Sequence, residues 1–206
     1  MLYKIIPAKQ HLEIRFNNDA TQCQFHHFYR SNHVTLFNIP KCASTTLKGY
    51  FDFLSEQCSQ GHKTLVFLRE PFARLKSAFR MKCYNEYGTD SFTKIICKYQ
   101  NFLQGENIPY KHYNDMIHFI PQSSFIDAVG IQFDFVGRLE NLQASISTLN
   151  IKWNINNYIL KYKNKNEFNQ EQNDQFNEEY EKNLQANRTF YTDFLARDIK
   201  LYDIRN

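Results

Sequence analysis

Two segments of this chain, LFNIPKCASTTLK at 36–48 and LVFLREPFARLKSAFR at 65–80, share one plan. Each runs from a short apolar stretch into a proline-marked turn and then into helical periodicity. Strands that lead straight into helices pair in parallel, because a parallel neighbour needs a long crossover and the helix supplies it. Both turns also carry groups suited to anions. The first offers Lys41 with Ser44, Thr45 and Thr46; the second offers Arg69 with Ser77. Side by side on one sheet, such turns can hold two separate phosphate-type charges.

The rest of the chain fits the same architecture. Val34–Ile39 reads as the first central strand, ended by Pro40, and Thr45 to Leu54 as a helix with Leu47, Tyr50, Phe51 and Leu54 on one face. Leu65–Leu68 reads as a second buried strand. Pro71 suits the first turn of the next helix, whose Phe72, Leu75, Ala78 and Phe79 form an apolar stripe. Residues 91–103 read as helix, 104–117 as a polar loop, and Phe133–Val136 as a strand. Leu139, Leu142, Ile146 and Leu149 then share a helical stripe. From 161 to 187 the chain is polar, a solvated helix or a mobile excursion, and Phe190–Tyr202 forms a closing helix. The alternation HLEIRF at 11–16 suits an edge strand or hairpin. Strands alternating with helices predict an α/β fold, a three-layer α/β/α arrangement around a mainly parallel sheet. We expect one domain over 1–206, with the core motifs at 34–202 and an N-terminal edge segment at 1–33.

Bulk properties narrow the function classes. A formal charge of +4 favours anionic ligands mildly and falls short of the dense basic stripe of a nucleic-acid binder. Five cysteines without C-x-x-C pairing suit reduced thiols better than a disulfide framework. No apolar run is long enough to span a bilayer and the start lacks a secretory pattern, so the expectation is a cytoplasmic protein with no integral membrane segment.

A strand that ends where a helix opens aims free N–H groups outward, and the helix dipole adds favourable potential for an anion. Hydroxyls at 44–46 add donors and Lys41 adds a mobile charge. The G-x-x-x-x-G-K-[ST] loop is absent: the first turn has no glycine and its lysine precedes the hydroxyls. The bland alternative is a Ser/Thr-rich cap with a surface lysine. In the second turn Arg69 suits a bidentate phosphate contact, and Ser77, eight residues on, could reach the same group. Its bland alternative is an ion pair of Arg69 with Glu70 or another carboxylate.

Taken together, these motifs resemble the sulfotransferases that use 3′-phosphoadenosine 5′-phosphosulfate (PAPS), in particular the carbohydrate branch with the HNK-1, chondroitin and dermatan enzymes. PKCASTTLK is similar to that family's 5′-phosphosulfate loop, and LVFLREPFARLKSAFR to its 3′-phosphate motif R-[DE]-P-F-x-R-L-x-S-A-[YF]-R. HFIPQ at 118–122 is similar to H-W-x-P-Q, FDFVGRLENL at 133–142 to Y-D-F-I-G-K-x-E-x-L, and DIKLY at 198–202 to D-F-x-L-[FY]. The resemblance implies a P-loop-NTPase-like sulfotransferase fold and transfer of a sulfuryl group from PAPS to a hydroxyl of a carbohydrate or other acceptor. The product would be adenosine 3′,5′-bisphosphate, and no metal would be required.

By the same resemblance Lys41 contacts the phosphosulfate, and Ala43, Ser44, Thr45 and Thr46 cradle the 5′ phosphate. Arg69 and Ser77 hold the 3′ phosphate. Arg74 is expected to pair with a carboxylate such as Glu140, and Arg80 to sit near the acceptor groove, each more structural than functional. A hydroxyl acceptor gains from a general base. His118, at the histidine position of H-W-x-P-Q, is the preferred candidate, with backbone-bonded support of the Pro121 loop as its alternative. Glu140 and His62 are weaker choices, and the His26–His27 pair reads as surface. The chain departs from the branch at Phe119, where tryptophan is usual, and at SSFID (123–127), which lacks the usual cysteines. Two rival classes remain: a kinase-like enzyme using ATP at the same loop, and a non-catalytic module of the same fold that binds the bisphosphate.

Overall fold

A computed structural model of the chain describes residues 28–86, 91–104, 117–160 and 168–204. Four strands form one sheet in sequential order: β1 (Phe28–Arg30), β2 (Val34–Phe37), β3 (Lys63–Leu68) and β4 (Phe135–Arg138). β1 pairs antiparallel with β2, while β2, β3 and β4 run parallel, with Phe37 opposite Val66 and Leu68 opposite Arg138. Helix α1 (Ser44–Gln57) makes the first parallel crossover. Helices α2 (Pro71–Glu86), α3 (Phe92–Leu103) and α4 (Gln122–Val129) lie along the second, and α5 (Leu142–Trp153), α6 (Gln170–Ala186) and α7 (Arg188–Ile204) complete the described chain.

Strand alternation builds the layers. Val34, Leu36, Leu65, Phe67 and Phe135 face one side, packing on Leu47, Tyr50 and Leu54 of α1 and on Leu142, Ile146 and Leu149 of α5. Phe37, Val66 and Leu68 face the other side, against Phe125 of α4 and Leu201 of α7. A further cluster joins Leu75, Ala78 and Phe79 of α2 to Ile95, Ile96 and Tyr99 of α3, Phe176 and Tyr180 of α6, and Tyr191 and Leu195 of α7. Both sheet faces are covered, as expected for parallel strands that read as continuous apolar runs.

Several boundaries move. The expected strand at Phe133–Val136 is Phe135–Arg138, because Asp134 is spent on a cap: its carboxylate accepts from the Thr64 N–H at 2.7 Å and from the Thr64 hydroxyl at 3.0 Å. Leu139 precedes the α5 helix instead of opening it, and its N–H extends the sheet to the Leu68 carbonyl at 2.8 Å. The polar stretch expected to be a solvated helix or excursion contains α6, opened by a reciprocal Asn169–Gln172 capping box. It docks, because Phe168, Phe176 and Tyr180 are buried in the helical cluster. Helix α4, over Gln122–Val129, was not anticipated. The HLEIRF segment, most of the loop at 104–117, residues 161–167 and the His26–His27 pair lie outside the described residues.

Gly137 has a steric reason to be glycine. A Cβ there would lie 2.3 Å from Cε1 and 2.5 Å from Cδ1 of Phe67 on the neighbouring strand.

Candidate active site

The first turn leaves β2 through buried Ile39 and reaches α1 by a route that ordinary L-residues avoid. Lys41 has φ 68° and Ala43 has φ 60°, both left-handed and neither glycine. The bend between them is closed by the Cys42 N–H, which donates to the Ile39 carbonyl at 3.1 Å. Ala43 is the N-cap of α1 and offers no side-chain cap. The first helical bond runs from Leu47 N–H to the Ala43 carbonyl at 2.9 Å, so the N–H groups of Ser44, Thr45 and Thr46 precede the ladder. That is the donor set an anion at a helix N-terminus would use.

The turn's carbonyls, by contrast, are taken. Arg69 Nη1 donates to the Lys41 carbonyl at 3.2 Å, and Arg74 Nε to the Pro40 carbonyl at 2.9 Å. Arginines of the second motif thus hold the strained backbone of the first. The Lys41 ammonium, half-buried, lies 2.8 Å from Met81 Sδ on α2.

Around the second turn three guanidinium groups gather with no ion pair among the described residues. Arg74 is 2% exposed, and its Nη2 has no hydrogen-bond partner. Burial pulls its pKa down, and the charge of Arg69 adds to that effect. Burial, then Arg69, likewise lowers the pKa of Arg80, whose Nη2 donates to Asn177 Oδ1 at 3.2 Å and whose guanidinium stands 5.2 Å over the Phe176 ring. Arg80 therefore lies in the field of Arg69 and against α6. Asp198 offsets part of the Arg74 charge, and Arg69 and Arg80 form no ion pair among the described residues, which leaves a positive potential that an anion would relieve. Ser77 is half-buried and stands one turn before Arg80 on α2.

Two expected pairings do not form. The Glu70 carboxylate caps α2, accepting from the N–H groups of Phe72 at 3.1 Å and Ala73 at 2.6 Å, so it makes no ion pair with Arg69. Glu140 is not the partner of Arg74. It accepts from the Glu70 N–H and from the Tyr202 hydroxyl, each at 2.8 Å, because it leaves β4 pointing across the end of β3. The carboxylate that favours the Arg74 charge is Asp198.

Sequence reasoning missed the residues that join the turns. Gln122 Oε1 accepts from the Arg69 N–H at 2.9 Å and from Cys42 Sγ at 3.1 Å, while its Nε2 donates to the Arg69 carbonyl at 2.8 Å. Asp198, 1% exposed, takes the N–H groups of Gln122 at 2.8 Å and Ser123 at 2.7 Å. The five motifs, scattered from 40 to 202, therefore meet in one network at the carboxyl ends of β2, β3 and β4. The only sequence signal was their recurrence as motifs. Cys42 is buried, and burial pushes its thiol up to about 12. His118 is half-buried in the turn preceding α4, four residues before Gln122. His62 lies at the opposite end of the sheet, before β3, where Nε2 meets the Thr35 hydroxyl at 2.9 Å.

Among the described residues no three His, Cys, Asp or Glu side chains gather as a metal site, and no helix is long and apolar enough to cross a membrane. Cys42, Cys58, Cys83 and Cys97 are free thiols. Among the comparisons, a family model described as "Sulfotransferase family" matches residues 27–203. No curated protein and no solved structure matches.

Proposed function

The chain belongs to the sulfotransferase family, and we propose that it transfers a sulfuryl group from PAPS to a hydroxyl of a carbohydrate acceptor, releasing adenosine 3′,5′-bisphosphate. The observation that carries this reading is the joining of two anion-ready turns on adjacent parallel strands, with Arg69 bonded to the Lys41 carbonyl at 3.2 Å. A ligand with phosphates at both ends fits that pair; a nucleotide charged at one end would leave Arg69 and Arg80 uncompensated. The fit extends to the backbone, since the unladdered N–H groups of 44–46 suit the 5′ phosphate. On this reading the chain is one domain with a P-loop-like nucleotide fold of the carbohydrate branch.

The donor supplies an activated sulfuryl group, and the protein's task is positioning and charge placement. Ala43, Ser44, Thr45 and Thr46 hold the 5′ phosphate, and Arg69 with Ser77 the 3′ phosphate. The Lys41 ammonium sits on the same turn as those N–H groups and neutralises charge that grows on the departing phosphate oxygen. His118 takes the acceptor's hydroxyl proton as the new oxygen–sulfur bond forms. No metal takes part.

The test is transfer of labelled sulfate from PAPS over a glycan panel, with Lys41→Ala alongside. Lys41→Ala should lower kcat by at least about a hundredfold, the scale of one lost transition-state donor, while the unfolding midpoint is retained. Unchanged turnover in the variant would overturn the role of Lys41. Calorimetry that finds ATP bound more tightly than adenosine 3′,5′-bisphosphate would overturn the donor.

A further inference from the structure

We infer that Gln122 is a positioning residue that aims Arg69 at the 3′ phosphate, and that helix α7 anchors it through Asp198. The inference rests on the proposed nucleotide site and names a residue no motif role above assigns.

The geometry is specific. One side-chain amide satisfies both main-chain groups of one residue: Oε1 takes the Arg69 N–H at 2.9 Å, and Nε2–H reaches the Arg69 carbonyl at 2.8 Å. β3 has ended at Leu68, so at Arg69 the Gln122 amide does what a neighbouring strand would do. It fixes the peptide planes on both sides of the Arg69 Cα, and hence the direction in which the guanidinium leaves the sheet. Gln122 is 1% exposed, so bulk solvent does not reach the amide to replace a lost partner.

The amide is itself fixed. Asp198 holds the N–H groups of Gln122 and Ser123 and so sets the start of α4. One helical turn further along α7, Tyr202 holds Glu140, which takes the Glu70 N–H. Two parallel links therefore run from one face of α7 to consecutive residues of the second turn. The contact to the first turn is weaker in kind, because Cys42 offers only a thiol donor at 3.1 Å. The Arg69 bond to the Lys41 carbonyl at 3.2 Å would loosen with it, but the N–H groups of 44–46 belong to α1, so losing Gln122 should hurt the 3′ end of the ligand more than the 5′ end.

Calorimetry on the full chain with adenosine 3′,5′-bisphosphate and adenosine 5′-monophosphate separates these ends. The wild type should prefer the bisphosphate. Gln122→Met keeps the volume and removes the amide; it should weaken the bisphosphate by about 10- to 100-fold, the worth of one misplaced charge-assisted contact, and the monophosphate by about twofold or less. Gln122→Asn keeps a neutral amide but is one methylene too short to reach both Arg69 main-chain groups, and should shift the same ratio in the same direction. It serves if the methionine variant does not fold. A variant that retains the wild-type preference, or that weakens both ligands alike, overturns the positioning role. A wild type that shows no preference overturns the nucleotide assignment instead.

Discussion

Replacing Gly137 with alanine isolates the contact that lets β4 lie beside β3. The added Cβ would sit 2.3 Å from Phe67 Cε1 and 3.1 Å from Phe135 Cε1, where carbon atoms normally stand about 3.5–4.0 Å apart. One ring edge must therefore retreat by more than about 1 Å. Phe67 is 1% exposed and packs against Phe135 with ring centroids 6.2 Å apart, so it has nowhere to turn. Overpacking of this kind costs about 1–3 kcal/mol, and the tightness of the contact places Gly137→Ala in the upper half of that range. Phe67→Leu removes the offending ring edge and alone costs about 1–2 kcal/mol for the space it leaves. In the double variant the tighter contact is gone and only the one with Phe135 at 3.1 Å remains, so the combined loss should fall short of the sum by about 1 kcal/mol or more. Urea unfolding of the four proteins at a common m-value measures the cycle. A Gly137→Ala protein within about 0.5 kcal/mol of wild type, or strictly additive losses, would refute the steric account.

Ala43→Gly should stabilise the protein or leave it unchanged. Relief of the left-handed backbone gives about 1–2 kcal/mol, against about 0.5–1 kcal/mol of added chain entropy in the unfolded state and a few tenths for the lost methyl. A loss above about 0.5 kcal/mol by urea unfolding would contradict the strain at this turn. Because burial holds the Cys42 thiol at about 12, it should resist iodoacetamide near about pH 8 while exposed Cys97 is alkylated. Peptide-resolved mass spectrometry reads both sites, and equal rates would show that the first turn opens to solvent.

The strands read at 34–39 and 65–68 were legible because they are short, largely apolar runs bounded by turn residues, as a sheet covered on both faces requires. Asp134 blurred the start of β4, since nothing local tells a carboxylate that caps Thr64 from one inside a strand. The docking of helix α6 was hidden for the opposite reason: its anchors Phe176 and Tyr180 are few against a polar background, and they are buried by distant partners, Phe92 of α3 and Phe79 of α2. Within the site, cations announce themselves by charge and spacing, so Lys41 and Arg69 were legible. Gln122 is neutral, and its partners stand 80, 53 and 76 residues away. Arg74 was given the wrong carboxylate because Asp198 and Glu140 are both distant in sequence, and only the packed helices decide which one faces it.

Placing a lysine at φ 68° makes one residue answerable for two things at once, a charge and a bend. Alanine bears the same conformational cost there as lysine, so it subtracts the ammonium and leaves the bend loaded. Glycine would subtract both and confuse them, and valine or isoleucine would fail on backbone grounds before any chemistry was asked of them. Any substitution series at this position must be read with its backbone cost beside its charge.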